Sequence, residues 1–403
     1  MLSIKLTRKS VIHQSNKTTR STEESTKIAD VWIFEMEIHF LGTGSAYPAP
    51  KRCSSCTVLR HEKGSWVFDC GEGSQIQFQK SSLKPGTIKK IFITHLHGDH
   101  LFGLPGLLCT IGMNNSINNG GHVDIYGPIG LKNFIRSSLA LSYSHLPYTF
   151  SVHEIILTSY NEFYKQNNVS IDVEYWEKLK DLSKVELPSH PNETAGISIY
   201  QNKEGFYNVC KSNGLEVTAG FLKHSIPCIG YVIQEDDIPG KLDVAILKSR
   251  GVPPGPLYGK IKSGETITLK DGTNLTPADC VGPKRKGRKI VILGDTCNSD
   301  EMAPIAHGAN VLVHESTNEN ADEVKSVERG HSTAGMAGCY ARQISAHHLI
   351  LTHFSQRYVG LSEPEKEGNT SVAKLVEQAK ETFQSDNVTA AEDFFVFSIP
   401  LPS

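Results

Sequence analysis

The segment Thr94-His95-Leu96-His97-Gly98-Asp99-His100 directly follows the apolar run Ile91-Phe92-Ile93. Its imidazoles and carboxylate are metal-ligand types, and they stand where a buried strand gives way to a loop, the usual position for a site on an α/β sheet. Four such side chains on one tight turn cannot all bind one ion and leave it open for catalysis. We therefore expect two adjacent metal ions that share the motif, an arrangement typical of phosphoester hydrolysis.

Three later segments repeat this pattern of a short apolar run that ends at a polar residue of ligand type. They are residues 289–293 before Asp295, residues 311–313 before His314 and Glu315, and residues 349–352 before His353. The spacing predicts an α/β protein, a layered αββα sandwich with the active site along one edge of its sheets. Asp295 is the best candidate for a carboxylate that bridges two ions, because it ends a buried strand.

Composition limits the other classes of protein. The 403 residues carry a formal net charge of −2, so any affinity for RNA must come from local patches. Nine cysteines without a dense framework favour a reducing compartment, and we interpret the Cys53-x-x-Cys56 pair as ordinary thiols. No apolar stretch approaches the roughly 18 residues that cross a bilayer, which predicts a soluble protein without a membrane partner.

The chain divides into a leader and a folded domain. Residues 1–35 are rich in Ser, Thr, Lys and Arg, typical of a disordered tail or of a targeting extension, so a cytoplasmic, nuclear or mitochondrial location stays open. The domain is expected over residues 36–403. Residues 150–222 are polar with scattered aromatic side chains and a helical stretch near 174–184, which we interpret as an inserted arm.

The His-x-His-x-Asp-His motif after an apolar strand resembles the signature of the metallo-β-lactamase fold. A longer series resembles tRNase Z (ribonuclease Z) in particular: Phe40-Leu41-Gly42-Thr43-Gly44-Ser45, the motif itself, Ser144-His145-Leu146-Pro147, Gly294-Asp295-Thr296, His314-Glu315-Ser316-Thr317, His331-Ser332-Thr333 and Leu351-Thr352-His353-Phe354. The stretch from Gly251 to Lys260 resembles the short, single-domain form. The likeness covers about residues 36–400, nearly everything except the leader.

The resemblance implies seven ligands for two zinc ions (Zn²⁺) per subunit. They are His95, His97 and His145 on one ion, Asp99, His100 and His353 on the other, and Asp295 as the bridge. Spacing alone does not indicate His145, which without the resemblance reads as a polar loop residue. Manganese or iron would also suit these ligand types.

Three residues are candidates for catalysis. The resemblance casts Asp99 as the proton acceptor, although a carboxylate that binds zinc is a poor base, so orienting the attacking water is the alternative. His331 is our candidate to protonate the leaving 3′ oxygen, and Glu315 to hold and polarise His331. His224 is interpreted as structural or substrate-facing rather than as a ligand.

The implied function is an endoribonuclease that removes the 3′ trailer from precursor tRNA and leaves a 3′ hydroxyl, acting as a homodimer. The densest basic run, residues 284–289, together with Lys51 and Arg52, would contact the RNA backbone, with a solvated loop as the alternative for that run. Two other functions stay open, a phosphodiesterase for small or cyclic phosphate esters and an inactive RNA-binding scaffold. The complete ligand set disfavours the scaffold.

Overall fold

The computed structural model of the chain describes residues 36–113, 121–157, 187–361 and 370–402. The predicted leader at 1–35 and the predicted helix near 174–184 lie outside the described residues.

The described residues place nine strands in the first sheet, with order β20-β1-β2-β3-β4-β5-β6-β7 and with β8 also paired to β6. Strands β3 to β6 run parallel to one another, whereas β20, β1, β2 and β3 form successive antiparallel pairs. The strands are β1 Glu37–Gly42, β2 Cys56–His61, β3 Gly64–Phe68, β4 Ile88–Phe92, β5 His122–Pro128, β6 Thr149–Ile155, β7 Glu193–Thr194, β8 Ser198–Ile199 and β20 Val396–Ser398.

The second sheet has the order β19-β16-β15-β14-β11-β10-β9 in the described part of the chain. Its strands are β9 Tyr207–Ser212, β10 Leu215–Leu222, β11 Cys228–Glu235, β14 Lys289–Ile292, β15 Val311–Glu315, β16 Leu349–Thr352 and β19 Val388–Ala390. The four strands from β14 onward are parallel, as the repeated pattern of apolar run and polar end requires. Among the described residues, two further short pairs lie outside both sheets, β12 Ile267–Thr268 with β13 Asn274–Leu275, and β17 Tyr358–Val359 with β18 Thr370–Ser371.

Helices cover the outer faces of both sheets. Leu107 and Ile135 pack on the first sheet, and Ala341 and Leu375 pack on the second. The helices are α1 Ser74–Lys80, α2 Gly98–Leu101, α3 Leu104–Gly112, α4 Leu131–Leu141, α5 Val244–Ser249, α6 Pro256–Lys262, α7 Pro277–Cys280, α8 Ala303–Ala306, α9 Glu323–Glu328, α10 Ala334–Gln343 and α11 Val372–Phe383. The layers therefore run αββα, as the sequence predicts. None of the helices among the described residues has the length and apolar character needed to cross a membrane.

Aromatic side chains join the two sheets. The ring of Tyr231, on β11, meets those of Phe92 and Phe68 edge to face, with centroids 5.3 and 5.8 Å apart. The Tyr231 hydroxyl donates a hydrogen bond of 2.8 Å to the carbonyl of Ile93. Ile93 lies immediately before the His-rich motif, so this contact ties the loop that carries the motif to the second sheet.

The predicted bounds of the arm are wrong. Strands β7 to β10 and all but the first residue of β6 lie within residues 150–222 and belong to the two sheets. Residues 158–186 of the predicted arm lie outside the described residues. Among the described residues, a segment that leaves the sandwich joins β11 to β14, and its two ends pair at Ile238 and Arg285. We call residues 238–285 the satellite. It has a small core of its own, built from Leu247, Val252, Tyr258, Ile261, Ile267, Leu275 and Cys280.

The Tyr231 contact yields a stability prediction. Tyr231→Phe keeps the ring but leaves the buried Ile93 carbonyl without this donor, so we expect the free energy of unfolding to fall by about 1–2 kcal/mol. Denaturant unfolding measures the change. Tyr340→Phe is the matched control, because the Tyr340 hydroxyl is buried and has no hydrogen-bond partner among the described residues. An equal loss in both variants would contradict the role given to the Tyr231 hydroxyl.

Candidate metal centre

Asp69 holds the His-rich loop in place. It follows β3 directly, and its carboxylate accepts hydrogen bonds from the Thr94 amide (2.7 Å), the Thr94 hydroxyl (2.8 Å) and His100 Nδ1 (2.8 Å). Asp69 adopts φ of 59°, the left-handed region that non-glycine residues rarely occupy. The strained backbone thus aims one buried carboxylate at both ends of the motif, and α2 begins immediately after His97.

Three imidazoles form a first cluster, which we call cluster A: His95, His97 and His224. His95 Nε2 and His224 Nε2 lie 3.1 and 3.2 Å from His97 Nδ1. His224 Nδ1 donates to the Gly330 carbonyl at 2.7 Å, which leaves the Nε2 lone pair facing the cluster. Burial lowers the pKa of His224 to about 4, so the ring is neutral at neutral pH.

A second cluster, cluster B, consists of Asp99, His100, Asp295 and His353. His353 Nε2 lies 3.4 Å from Asp99 Oδ2 and 3.3 Å from His100 Nε2. The other nitrogen of His353 is 2.9 Å from the Thr317 hydroxyl, and the residue itself has φ of 58°. Like Asp69, His353 is a non-glycine residue held in the left-handed region at this site.

Asp295 connects the two clusters. Its Oδ1 is 3.4 Å from His100 Nε2, and its Oδ2 is 3.2 Å from His353 Nε2. The same Oδ2 is 3.8 Å from His95 Nε2 and 4.0 Å from His224 Nε2. Asp295 is buried and follows β14 within three residues, so one carboxylate at the end of the second sheet serves both clusters.

The hydrogen bonds around the clusters fit metal ions. The three imidazoles of cluster A are neutral at neutral pH, because burial lowers the pKa of each below its usual value. His224 donates its outer nitrogen to the Gly330 carbonyl, which only accepts, so its inner nitrogen carries a lone pair. Lone pairs of neutral imidazoles that converge at such distances repel one another unless a cation lies between them. The donor set of nitrogen and carboxylate oxygen suits zinc and related divalent ions.

His331 and Glu315 form a pair beside the clusters. His331 Nδ1 lies 3.1 Å from Glu315 Oε1 and 3.7 Å from Asp295 Oδ2. Burial lowers the pKa of His331, but the charge and hydrogen bond of Glu315 outweigh it and raise this pKa to about 9. Glu315 is fixed in turn by the Thr296 amide (2.7 Å) and the Thr317 hydroxyl.

The clusters open into a cleft of about 710 Å³, which we call the cationic cleft. His97, Asp99, Asp295 and His331 lie on its wall. Its other lining residues include three cationic side chains, Lys325, Arg329 and Arg357, and the carboxylate of Asp322, which pairs with Arg357 at 2.7 Å.

Comparison with known proteins supports the resemblance. The human protein named zinc phosphodiesterase ELAC protein 1 is 42% identical over 371 residues, which cover 91% of this chain and 99% of that one. A protein of Halalkalibacterium halodurans named ribonuclease Z is 37% identical over 369 residues, with 91% and 99% coverage.

The chain belongs to the ribonuclease Z family. The crystal structure of human tRNase Z, short form, has 33% sequence identity, matches 91% of this chain and 100% of that one, and gives a TM-score of 0.60. The predicted metallo-β-lactamase αββα fold is therefore confirmed. A family model described as the anti-Pycsar protein Apyc1 also matches residues 36–168.

In this member of the ribonuclease Z family, one of the seven expected metal ligands lies outside both clusters. His145 is exposed in the loop after α4 and belongs to no cluster of candidate ligands among the described residues. His224, which the sequence led us to interpret as structural or substrate-facing, occupies the place that we expected for His145. His224 follows β10 just as Asp295 follows β14, so the pattern of apolar run and polar end could have identified it. The same pattern could have identified Asp69.

Several of the basic side chains expected to contact RNA instead form contacts within the protein. Arg288 is buried and forms two hydrogen bonds with the Glu235 carboxylate, and Lys289 donates to the carbonyls of Ile305 and His307. Arg52 is buried over the ring of Phe354. These cations therefore stabilise the fold, whereas Lys284 and Lys286 are exposed.

The Asp69 network yields a prediction about metal affinity. Asp69→Asn replaces the carboxylate that orients His100, so we expect the chain to bind zinc about 10–100-fold more weakly in competition with a chelator. Asp124→Asn is the matched control. That carboxylate also lies in the first sheet and accepts from Lys90 at 2.7 Å, but it takes no part in either cluster. Unchanged affinity in Asp69→Asn would show that His100 needs no such support.

Proposed function

We propose that this protein is a zinc-dependent endoribonuclease that removes the 3′ trailer from tRNA precursors and leaves a 3′ hydroxyl on the tRNA. The proposal is carried by two neighbouring ligand clusters with Asp295, a member of cluster B, within 4.0 Å of His95 and His224 in cluster A, beside the cationic cleft. The names of the relatives, zinc phosphodiesterase and ribonuclease Z, support both the metal and the substrate.

The proposal assigns two zinc ions to each chain. His95, His97 and His224 would hold one ion, Asp99, His100 and His353 the other, and Asp295 would contact both. When bound, the two ions supply Lewis acidity at the phosphate and favour ionisation of the attacking water.

The remaining roles belong to side chains of the protein. Asp99 Oδ2 accepts a hydrogen bond from the Ala46 amide at 2.7 Å, which fixes the carboxylate that would orient the attacking water. His331 would give a proton to the leaving 3′ oxygen, and Glu315 would keep the ring in position for that transfer. His331 suits this role because it lines the cationic cleft without belonging to either proposed ligand set.

Two cationic surfaces suit a tRNA substrate. Lys325 and Arg329 stand at the cationic cleft, where they would meet the phosphates nearest the cleaved bond. The satellite carries eight Lys and Arg against four Asp and Glu, an excess that would attract the RNA backbone farther from the site. The homodimer and the cellular location remain predictions from the resemblance and the leader.

The ligand assignment is tested by metal content. We expect His224→Ala to retain about half of the zinc bound by the unaltered chain, because cluster A loses one of its three imidazoles. His145→Ala, the matched control, should retain all of it. Inductively coupled plasma mass spectrometry after gel filtration makes the comparison. A loss of zinc in His145→Ala instead would overturn this assignment.

The function is tested by cleavage of a 3′-extended tRNA beside a chromogenic phosphodiester. The unaltered chain should release the trailer and leave a tRNA with a 3′ hydroxyl, whereas His331→Ala should keep its zinc and lose about 10²–10⁴-fold in turnover. Cleavage of the small ester alone would reject the tRNA substrate. Zinc loss in His331→Ala would mean that His331 is a ligand.

A further inference from the structure

Two exposed aromatic side chains lie beside the metal centre, on the wall of a cavity that His331 does not line. Tyr47 is 60% exposed and Phe102 is 63% exposed. Both line a cavity of about 280 Å³, which we call the aromatic cavity, and its wall also includes His97 and Asp99. The aromatic cavity and the cationic cleft thus share these two candidate ligands, while His331 lines only the cleft.

Phe102 is fixed beside the motif despite its exposure. Its amide donates to the Gly98 carbonyl at 2.8 Å. A Cβ atom added at Gly98 would lie 2.3 Å from Cε2 of the Phe102 ring, so the ring rests directly on the backbone between His97 and Asp99. Any larger residue at position 98 would displace it. The glycine of the motif therefore allows an aromatic ring to stand against the metal centre.

Tyr47 lies on a loop that is anchored to the same centre. The Gln356 side-chain amide donates to the carbonyls of Tyr47 (2.7 Å) and Ser45 (3.0 Å). The neighbouring Ala46 donates its amide to Asp99 and has φ of 67°. These bonds hold the loop that carries Tyr47 beside the aromatic cavity.

The aromatic cavity suits a nucleobase better than a phosphate. Its lining within the described residues includes no Lys or Arg, and it does include the carboxylate of Glu72. Aromatic rings stack on bases of any sequence, and a carboxylate can accept a hydrogen bond from the amino group of a base. The cationic cleft differs from it in having cationic side chains, Lys325 and Arg329, on its wall.

Resting on the proposed function, we infer that the aromatic cavity binds the base of the first trailer nucleotide. His331 would protonate the 3′ oxygen that stays with the tRNA, which places the tRNA on the side of the cationic cleft. The nucleotide that carries the cleaved phosphate then lies on the opposite side, in the aromatic cavity. Tyr47 and Phe102 are specificity residues there, since they touch the base and not the reacting atoms.

The test compares two 3′-extended tRNAs that differ only in the first trailer nucleotide, which is normal in one and abasic in the other. For the normal substrate, Phe102→Ala and Tyr47→Ala should each lower kcat/KM about 5–100-fold, the range that the stacking of one base supports. For the abasic substrate, both variants should match the unaltered chain. Phe102→Tyr, which keeps a ring, should retain most of the activity on the normal substrate.

The controls separate this inference from the proposed function. Tyr143→Ala removes a tyrosine that is 94% exposed and lines neither cavity, so it should cleave both substrates as the unaltered chain does. Equal losses on both substrates in Phe102→Ala, or no loss on either, would overturn the base subsite. If the unaltered chain cleaves neither tRNA, the proposed function itself fails.

Discussion

Asp295 lies between two groups of imidazoles, and the packing of the two sheets is what allows it to reach both. Its two oxygens lie between 3.2 and 4.0 Å from nitrogens of four different histidines. Such an arrangement requires the end of β14 in the second sheet to meet the loop after β4 in the first. The aromatic contacts of Tyr231 and its hydrogen bond to Ile93 hold these two parts of the chain together.

The surroundings of the site are organised to keep lone pairs directed inward. Asp69, the Gly330 carbonyl and the Thr317 hydroxyl each engage the outer nitrogen of a histidine. Both Asp69 and His353 adopt left-handed backbone conformations, which cost free energy and persist where the surrounding structure enforces them. Without a cation the neutral imidazoles of cluster A would repel one another, so we expect metal binding to stabilise the folded chain.

The sequence was informative where a ligand follows a buried strand within a few residues. Parallel strands bring their carboxyl ends to one edge of a sheet, so Asp295, His353 and the His-rich motif could be placed from local pattern alone. His145 could not be placed in this way, since only the resemblance supported it. The third imidazole of cluster A, His224, lies more than 120 residues from His97 along the chain, and only the packing of the two sheets brings them together.

The inserted arm and the basic run show a second limit of sequence. Residues 207–212 look polar because β9 lies at the edge of its sheet, with some residues exposed, and not because they leave the fold. From the sequence alone, Arg288 is a candidate to contact RNA. In the fold its guanidinium donates to the carboxylate of Glu235 on the neighbouring strand. Charge and polarity in a sequence do not reveal whether a tertiary partner satisfies them.

The number of zinc ions bound per chain shows whether Asp295 serves two metal ions. Purified protein equilibrated with zinc and freed of loosely bound metal should contain two ions per chain, and Asp295→Ala should contain close to none, because both ions lose a shared ligand. One ion or none in the unaltered chain, or two ions retained in Asp295→Ala, would contradict a centre built on a shared carboxylate.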